Sequence, residues 1–229
     1  GGGSEPERIP VTPLDRSTTG TITGTVRLAG PAPAMQTLQM TSECRAEHQG
    51  PVPSGDVLVR DGLVENAFVW IKDGLGDRGF ELPTAAVTID QQGCLYHPRV
   101  TGVQVGQPIV FQNSDSVLHN VHGTPVVASA WNFTISMKGR QSTLKLDKPE
   151  VMVSVRCDVH PWMQGWIGVV DHPYFSVTGA DGRFTLRDVP PGEYTVAVWH
   201  ERFGTREAKV SLAAKGMQDV PFGLGSSGN

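Results

Sequence analysis

Short runs of alternating apolar and polar residues, each closed by glycine or proline, recur along most of this chain and dictate a β-structure. The segment GEYTVAVW (192–199) is typical, with Tyr194, Val196 and Val198 at period two. In a strand, successive side chains point to opposite faces, so such a run buries one face and wets the other. Comparable runs lie at 20–30, 66–72, 85–90, 102–105, 108–113, 131–137, 142–146, 151–156 and 166–170. More follow at 174–179, 182–188, 205–212 and 219–222, and MQTLQM (35–40) offers a further short strand. The 27 glycines and 17 prolines in 229 residues supply the turns between them. An apolar stripe at helical spacing is absent except around Cys44. The expected fold class is all-β, built as sandwiches.

Several classes of function are excluded at this level. The net charge is −4 and no Lys/Arg cluster is long enough to follow a phosphate backbone, so nucleic acid is not an expected partner. No window approaches 18 consecutive apolar residues, so no transmembrane segment is expected. With 38% hydrophobic and 18% charged residues, the chain has the material for a core and is unlike a disordered one. Residues 1–19, rich in Gly, Pro and Ser, read as a flexible tether. No secretory leader is visible. A tether of this kind often follows a lipidated cysteine, which leaves open a lipid anchor upstream of residue 1.

Three cysteines, Cys44, Cys94 and Cys157, make an odd count. Cys157 opens CDVHPWM (157–163), and FQNSDSVLHNVH (111–122) lies upstream. Together they bring a thiol, two imidazoles and a thioether: Cys157, His119, His160 and Met163. A His₂Cys set with a weak axial methionine is the donor set of a blue-copper electron-transfer site. Three of these donors share one tight loop, and the fourth comes from a separate strand end, so folding closes the site. Zinc in a mixed site is the rival metal, and a buried free thiol is the ordinary fate of a cysteine such as Cys157. His122, His97, His172, His200 and His48 are expected to be structural or exposed.

The run YHPRVTGVQVGQPIVFQNSDSVLHNV (96–121), followed by Cys157-x-x-His160-Pro161-x-Met163, resembles the cupredoxins of the plastocyanin/amicyanin group. Only two residues separate His160 from Met163, the short amicyanin-type loop. The resemblance covers roughly residues 85–171. It implies a Greek-key β-sandwich holding one type 1 copper, with His119, Cys157, His160 and Met163 as ligands. It also implies that Asn120 ties the ligand strand to the Cys loop, an outer contact of the kind that fixes ligand orientation. Asn113 is expected to brace the same loop. Asp158, next to the thiolate, is expected to lower the reduction potential unless it points to solvent. Trp162, between two ligands, is expected to cover the His160 edge, which serves this fold as an electron port, and to belong to a docking patch. Trp166 reads as core. Acidic and basic side chains balance across 85–171, so strong electrostatic steering is not indicated.

A second resemblance lies in FSVTGADGRFTLRDVPPGEYTVAVWHERFG (175–204). The Asp181-Gly182 turn, a strong hairpin signal, and Val189-Pro190-Pro191-Gly192-Glu193-Tyr194 are similar to the carboxypeptidase regulatory-like, or transthyretin-like, sandwich. Such sandwiches usually open with a strand like Gly24-Thr-Val-Arg-Leu-Ala-Gly30, which lies about 150 residues upstream. The implied organisation is a discontinuous sandwich, 20–83 and 172–229, with the cupredoxin domain inserted at 84–171.

With Cys157 assigned to the metal, Cys44 and Cys94 remain as an even pair, expected to form a disulfide. Two buried free thiols and a metal site using Cys94 and His97 are the alternatives. In the chain-entropy model such a bridge contributes roughly 4 kcal/mol, and it implies an oxidising compartment. The expected function is that of a periplasmic or extracytoplasmic carrier passing single electrons between redox protein partners. A copper carrier or chaperone, and an adhesion or scaffold protein with incidental copper, are the alternatives. No Ser-His-Asp-like arrangement and no paired H-x-H copper runs are seen, so no enzymatic activity is expected.

Overall fold

A computed structural model describes residues 9–225. The alternating runs form strands of four sheets, and the one helix among the described residues spans five residues, Ser42–Ala46. The expected all-β class is what the structure shows.

One sandwich is made by the two ends of the chain. Its first sheet runs Arg183–Val189, Gly20–Leu28, Leu63–Val64, Val59–Arg60, and Met217–Asp219 and Phe222–Leu224 add in parallel to Gly20–Leu28. Gly24 lies opposite Phe184 in the antiparallel register. Its second sheet runs Phe175–Val177, Phe68–Asp73, Gly192–His200, Gly204–Leu212. Ile22, Val26, Val69, Leu186, Val196 and Val198 fill the space between the sheets. The other sandwich is built by the middle of the chain. A five-stranded sheet, Trp131–Ile135, His119–Thr124, Glu150–Arg156, Gln164–Val170, Val100–Gln104, faces a four-stranded one, Gln141–Leu144, Ile109–Asn113, Val87–Gln92, Leu95–His97. Ile89, Val103, Ile109, Phe111, Val121 and Ile167 are among its core.

Residues 1–8 of the expected tether lie outside the described residues. Four features of the described residues differ from the sequence reading. Residues 9–19 are fastened to the first sandwich: Val11 bridges Gly79, Arg16 pairs with Asp188 at 3.0 Å, and Lys215 N donates to Thr18 O. MQTLQM forms no strand. Only Thr37 makes a bridge, to Pro53, and residues 36–53 fold back on themselves around the small helix. This excursion, grouped by sequence with 20–83, carries Leu38, Met40, Cys44 and Val52 onto the core of the middle-chain sandwich, because those apolar side chains and the Cys44–Cys94 disulfide bind it there. Finally, Asp181-Gly182 is a corner. The strands flanking it pair in different sheets, and Val26 N donates to Gly182 O, which holds the turn over the first strand.

The two sandwiches meet through an apolar layer of Phe68, Trp70, Val100, Val170 and Ala197. Gly102 and Gly168 lie side by side in register there and give the Phe68 and Phe175 rings room to approach the sheet. At its edge Arg99 grips Glu201 with both arms, at 2.6 and 2.9 Å, and Trp166 Nε1 donates to the same carboxylate at 3.2 Å. Trp166 is therefore an interface residue.

Candidate metal centre

The site forms where two strand ends of one sheet meet a loop. The strand Ile109–Asn113 ends in a buried asparagine whose side chain organises the next five residues. Asn113 Nδ2 donates to Val117 O and Ile135 O, both at 2.9 Å, and Oδ1 accepts from Asp115 N at 2.8 Å. Asn113 thus braces the 114–118 loop leading to His119. The expectation that it braces the Cys157 loop is corrected, because its amide is engaged by Val117 O, Ile135 O and Asp115 N and by no atom of that loop.

His119 opens the strand His119–Thr124 and is fully buried. Cys157 follows Glu150–Arg156, and its loop closes tightly: Met163 N donates to His160 O at 2.9 Å and Cys157 N to Met163 O at 3.3 Å. Folding brings His119 Nδ1 to 3.0 Å from His160 Nδ1, and His160 Nδ1 to 3.7 Å from Cys157 Sγ. Donor atoms of the three residues lie within 4.8 Å of one another. Met163 is also fully buried, in the same loop and the same core.

The tautomers follow from the neighbours. His119 Nε2 is 2.8 Å from Asp115 Oδ2, and an ionised carboxylate only accepts, so Nε2 carries the hydrogen. The Nδ1 lone pair of neutral His119 is thereby turned towards Cys157 and His160. Two imidazole lone pairs cannot face each other at 3.0 Å without a cation or proton between them. In the metal-free protein a hydrogen on one of the two Nδ1 atoms fills that role. Burial pushes the pKa of His119 down, but the Asp115 carboxylate and Cys157 sulfur outweigh this and hold it above its ordinary value. Burial, followed by the charge on His119, lowers that of His160. Burial raises the Cys157 thiol, yet hydrogen bonds from His119 and from the main-chain N–H of Asn120 overcome it and favour the thiolate.

The donor set fits a metal ion. Nitrogens at about 2.0–2.1 Å from an ion lie at most about 4.2 Å apart, and a sulfur at about 2.3 Å lies at most about 4.4 Å from either. The observed separations of 3.0 and 3.7 Å fall inside both limits. Thiolate with imidazole suits zinc or copper and not a hard cation.

Asp115 is the residue that sequence reasoning missed. It is buried and accepts main-chain hydrogen bonds from Gly93 and Cys94, each at 2.7 Å, besides holding His119. Gly93 and Cys94 have φ of 60° and 54°, the paired left-handed geometry of a two-residue hairpin turn, which aims both N–H groups at one carboxylate. Burial raises its pKa, but the bonds to His119, Cys94 and Gly93 outweigh it and keep Asp115 ionised. The available signal was a carboxylate four residues before a candidate ligand histidine.

Asn120 does bridge the two ligand segments. Its Oδ1 accepts from Asp158 N at 2.6 Å, and its own N–H lies 3.5 Å from Cys157 Sγ. Asp158 turns outward, where it meets His122 at 2.9 Å and Arg156 at 3.3 Å. The His122 hydrogen bond, with those from Asn120 and Asn132, lowers its pKa to about 2. Its carboxylate is engaged there by the Arg156 guanidinium and the His122 ring. Trp162 lies against His160 with ring centroids 5.2 Å apart and donates through Nε1 to Cys94 O at 3.1 Å. His160 itself is only 5% exposed. Its edge is walled by Trp162 and by the Cys44–Cys94 disulfide, so it does not open directly to solvent as expected of an electron port. The remaining free cysteine among the described residues is Cys157.

Residues 169–225 match the carboxypeptidase regulatory-like domain. Comparison with curated proteins returned no match. Among solved structures, the chain is similar to the copper-containing nitrite reductase (NirK) from Thermus scotoductus SA-01, at 24% identity and a TM-score of 0.33 over 40% of this chain. It spans 24% of the length of that enzyme. A mutant of amicyanin in the Cu(I) form is 23% identical over 39% of this chain and 86% of its own, with a TM-score of 0.33. A purple cupredoxin from Nitrosopumilus maritimus is 21% identical over 36% of this chain and 98% of its own, with a TM-score of 0.32. The match to the carboxypeptidase regulatory-like domain is thus confined to residues 169–225, and cupredoxins are among the structural neighbours. Among the described residues no helix is long and apolar enough to cross a membrane.

Proposed function

We propose that this protein is a one-electron carrier with a single type 1 copper that His119, Cys157 and His160 would hold, with the Met163 thioether as a fourth donor. The observation that carries this reading is the convergence of one thiol and two imidazoles, all buried, with their donor atoms within 4.8 Å. Copper bound there supplies a Cu(I)/Cu(II) couple. The chain supplies the rest. Asp115 holds the His119 ring, Asn120 ties the ligand strand to the Cys157 loop, and that loop is closed by its own main-chain hydrogen bonds. A cage with so little freedom keeps the two oxidation states in similar surroundings, which favours electron transfer over substrate chemistry.

Several further points belong to this proposal. The protein turns over no substrate, its partners are redox proteins, and it works in a periplasmic or extracytoplasmic compartment, where its disulfide persists. The half-exposed apolar residues Leu118 and Val159, each next to a ligand histidine, suit a docking patch together with Trp162. The neighbours described as copper proteins are in keeping with the choice of metal, but the donor set carries it. Visible and EPR spectra of the protein loaded with Cu(II) test the reading. An intense thiolate-to-copper band with a reversible potential is expected. A colourless protein that retains zinc in preference to copper overturns it.

A further inference from the structure

The Cys44–Cys94 disulfide was expected as a staple joining the N-terminal segment to the middle-chain sandwich. Its place in the fold is more specific. Cys44, on the small helix, and Cys94, at the tip of the hairpin turn, are both fully buried, and their sulfurs lie within 4.8 Å of a His160 ring nitrogen. The Cys94 peptide is held from both sides of the metal centre, its N–H by Asp115 and its carbonyl by Trp162. His160 is therefore shared by two groups of sulfur donors, Cys157 with His119 and the Cys44/Cys94 pair, and Cys94 also lies within 4.8 Å of His119 and Asp115 donor atoms. All four donors expected for the copper are 5% exposed or less, so an incoming ion must pass residues that wall the centre.

We propose that Cys44 and Cys94, as free thiols before their disulfide forms, make with His160 an entry site for monovalent copper. The site shares His160 with the Cys157 centre and hands the ion inward. Two thiolates and an imidazole are soft donors suited to Cu(I). Sulfurs bound at about 2.3 Å stand at most about 4.6 Å apart, a separation that two cysteines with Cα atoms 5.7 Å apart reach by turning their side chains.

The chemistry balances. Cu(I) displaces one proton from each thiol on binding. As it moves to the Cys157 sulfur and His119 Nδ1 it displaces the one proton that this pair holds, and the two outer thiolates are reprotonated by that proton and one from solvent. Oxidation of Cys44 and Cys94 then passes two electrons and two protons to the disulfide of a thiol oxidant, which leaves as a dithiol, while copper remains Cu(I). The new disulfide closes the wall behind the ion.

This inference rests on the copper reading, and the test separates the two. The full chain carrying Cys157→Ala is prepared in dithiol and disulfide forms and titrated with Cu(I) against a chromophoric chelator. The dithiol form is expected to bind one Cu(I) at least tenfold more tightly than the disulfide form, and adding His160→Ala is expected to remove that gain. Equal affinity in the two forms, or a gain indifferent to His160→Ala, overturns the proposal.

A second measurement uses the wild-type Cys157 centre and so does not depend on the folding of that variant. The rate at which Cu(I) enters is compared between the dithiol protein and Cys44→Ser/Cys94→Ser, both of which lack the cross-link. Entry at least tenfold faster in the dithiol protein is expected, and equal rates overturn the entry role. If oxidised wild-type protein lacks the blue band while the Cys157→Ala titration behaves as expected, the electron-carrier reading fails and the outer site stands.

Discussion

Replacing Asp115 by asparagine removes one charge and one acceptor from the middle of the candidate centre. The wild-type carboxylate accepts three hydrogen bonds, from His119 Nε2 at 2.8 Å and from the main-chain N–H groups of Gly93 and Cys94 at 2.7 Å. An asparagine offers one oxygen and turns an NH₂ towards at least one of these donors, at a buried position. A buried donor left unpaired costs about 1–3 kcal/mol, and the charge-assisted bonds weaken as well. We expect the metal-free protein to lose about 3 kcal/mol, measured by urea unfolding.

The pH profile of the loss has a definite sign. Asp115 has a lowered folded pKa, so its contribution is present above its ordinary value of 3.8 and fades as pH falls through the folded one. His119 has a raised folded pKa, so its contribution is present below its ordinary 6.5 and fades as pH rises through the folded one. The deficit of Asp115→Asn is therefore largest between about pH 4 and 6.5. An NH₂ aimed at Nε2 also favours the other tautomer of His119 and places a hydrogen on the donor nitrogen, so metal affinity is expected to fall about 10–100-fold. A loss below about 1 kcal/mol with a flat pH profile and unchanged affinity would refute the assignment of Asp115.

Gly168→Ala places a methyl 2.5 Å from the ring of fully buried Phe68 at the junction of the sandwiches. It should cost about 1–3 kcal/mol in thermal unfolding, and an unchanged Tm would show that the junction yields. His200 is buried against Phe203 with its pKa lowered to about 4 by burial, so the unfolded chain binds the extra proton between pH 4 and 6.5. Stability should fall by roughly 3 kcal/mol on acidification through that window, and His200→Gln should flatten this part of the curve; an unaltered curve counts against the reading. Under the copper proposal, Met163→Leu should keep the blue colour and raise the reduction potential, since a sulfur donor is lost. An unmoved potential in voltammetry would remove Met163 from the ligand set.

Much of this protein was legible from local pattern alone. Period-two alternation depends only on the alternation of side chains along a strand, so segments such as Gly192–His200 and Glu150–Arg156 could be read without knowing their partners. The donor residues could be named because thiol, imidazole and thioether at short spacing in one loop are rare together. The disulfide followed from counting.

Tertiary structure decided what those residues face. Pairing across 50 residues put the Cys44–Cys94 sulfurs beside His160, and no local pattern encodes that approach. Asp181-Gly182 has the chemistry of a hairpin, but the sheet that each flanking strand joins is chosen by distant partners. Asp115 looks like any loop aspartate until the Gly93-Cys94 turn delivers two N–H groups and His119 a third. A chain can specify by itself which groups it carries and which face of a strand is apolar. Which groups meet, and which are cut off from water, depends on packing between segments far apart in sequence.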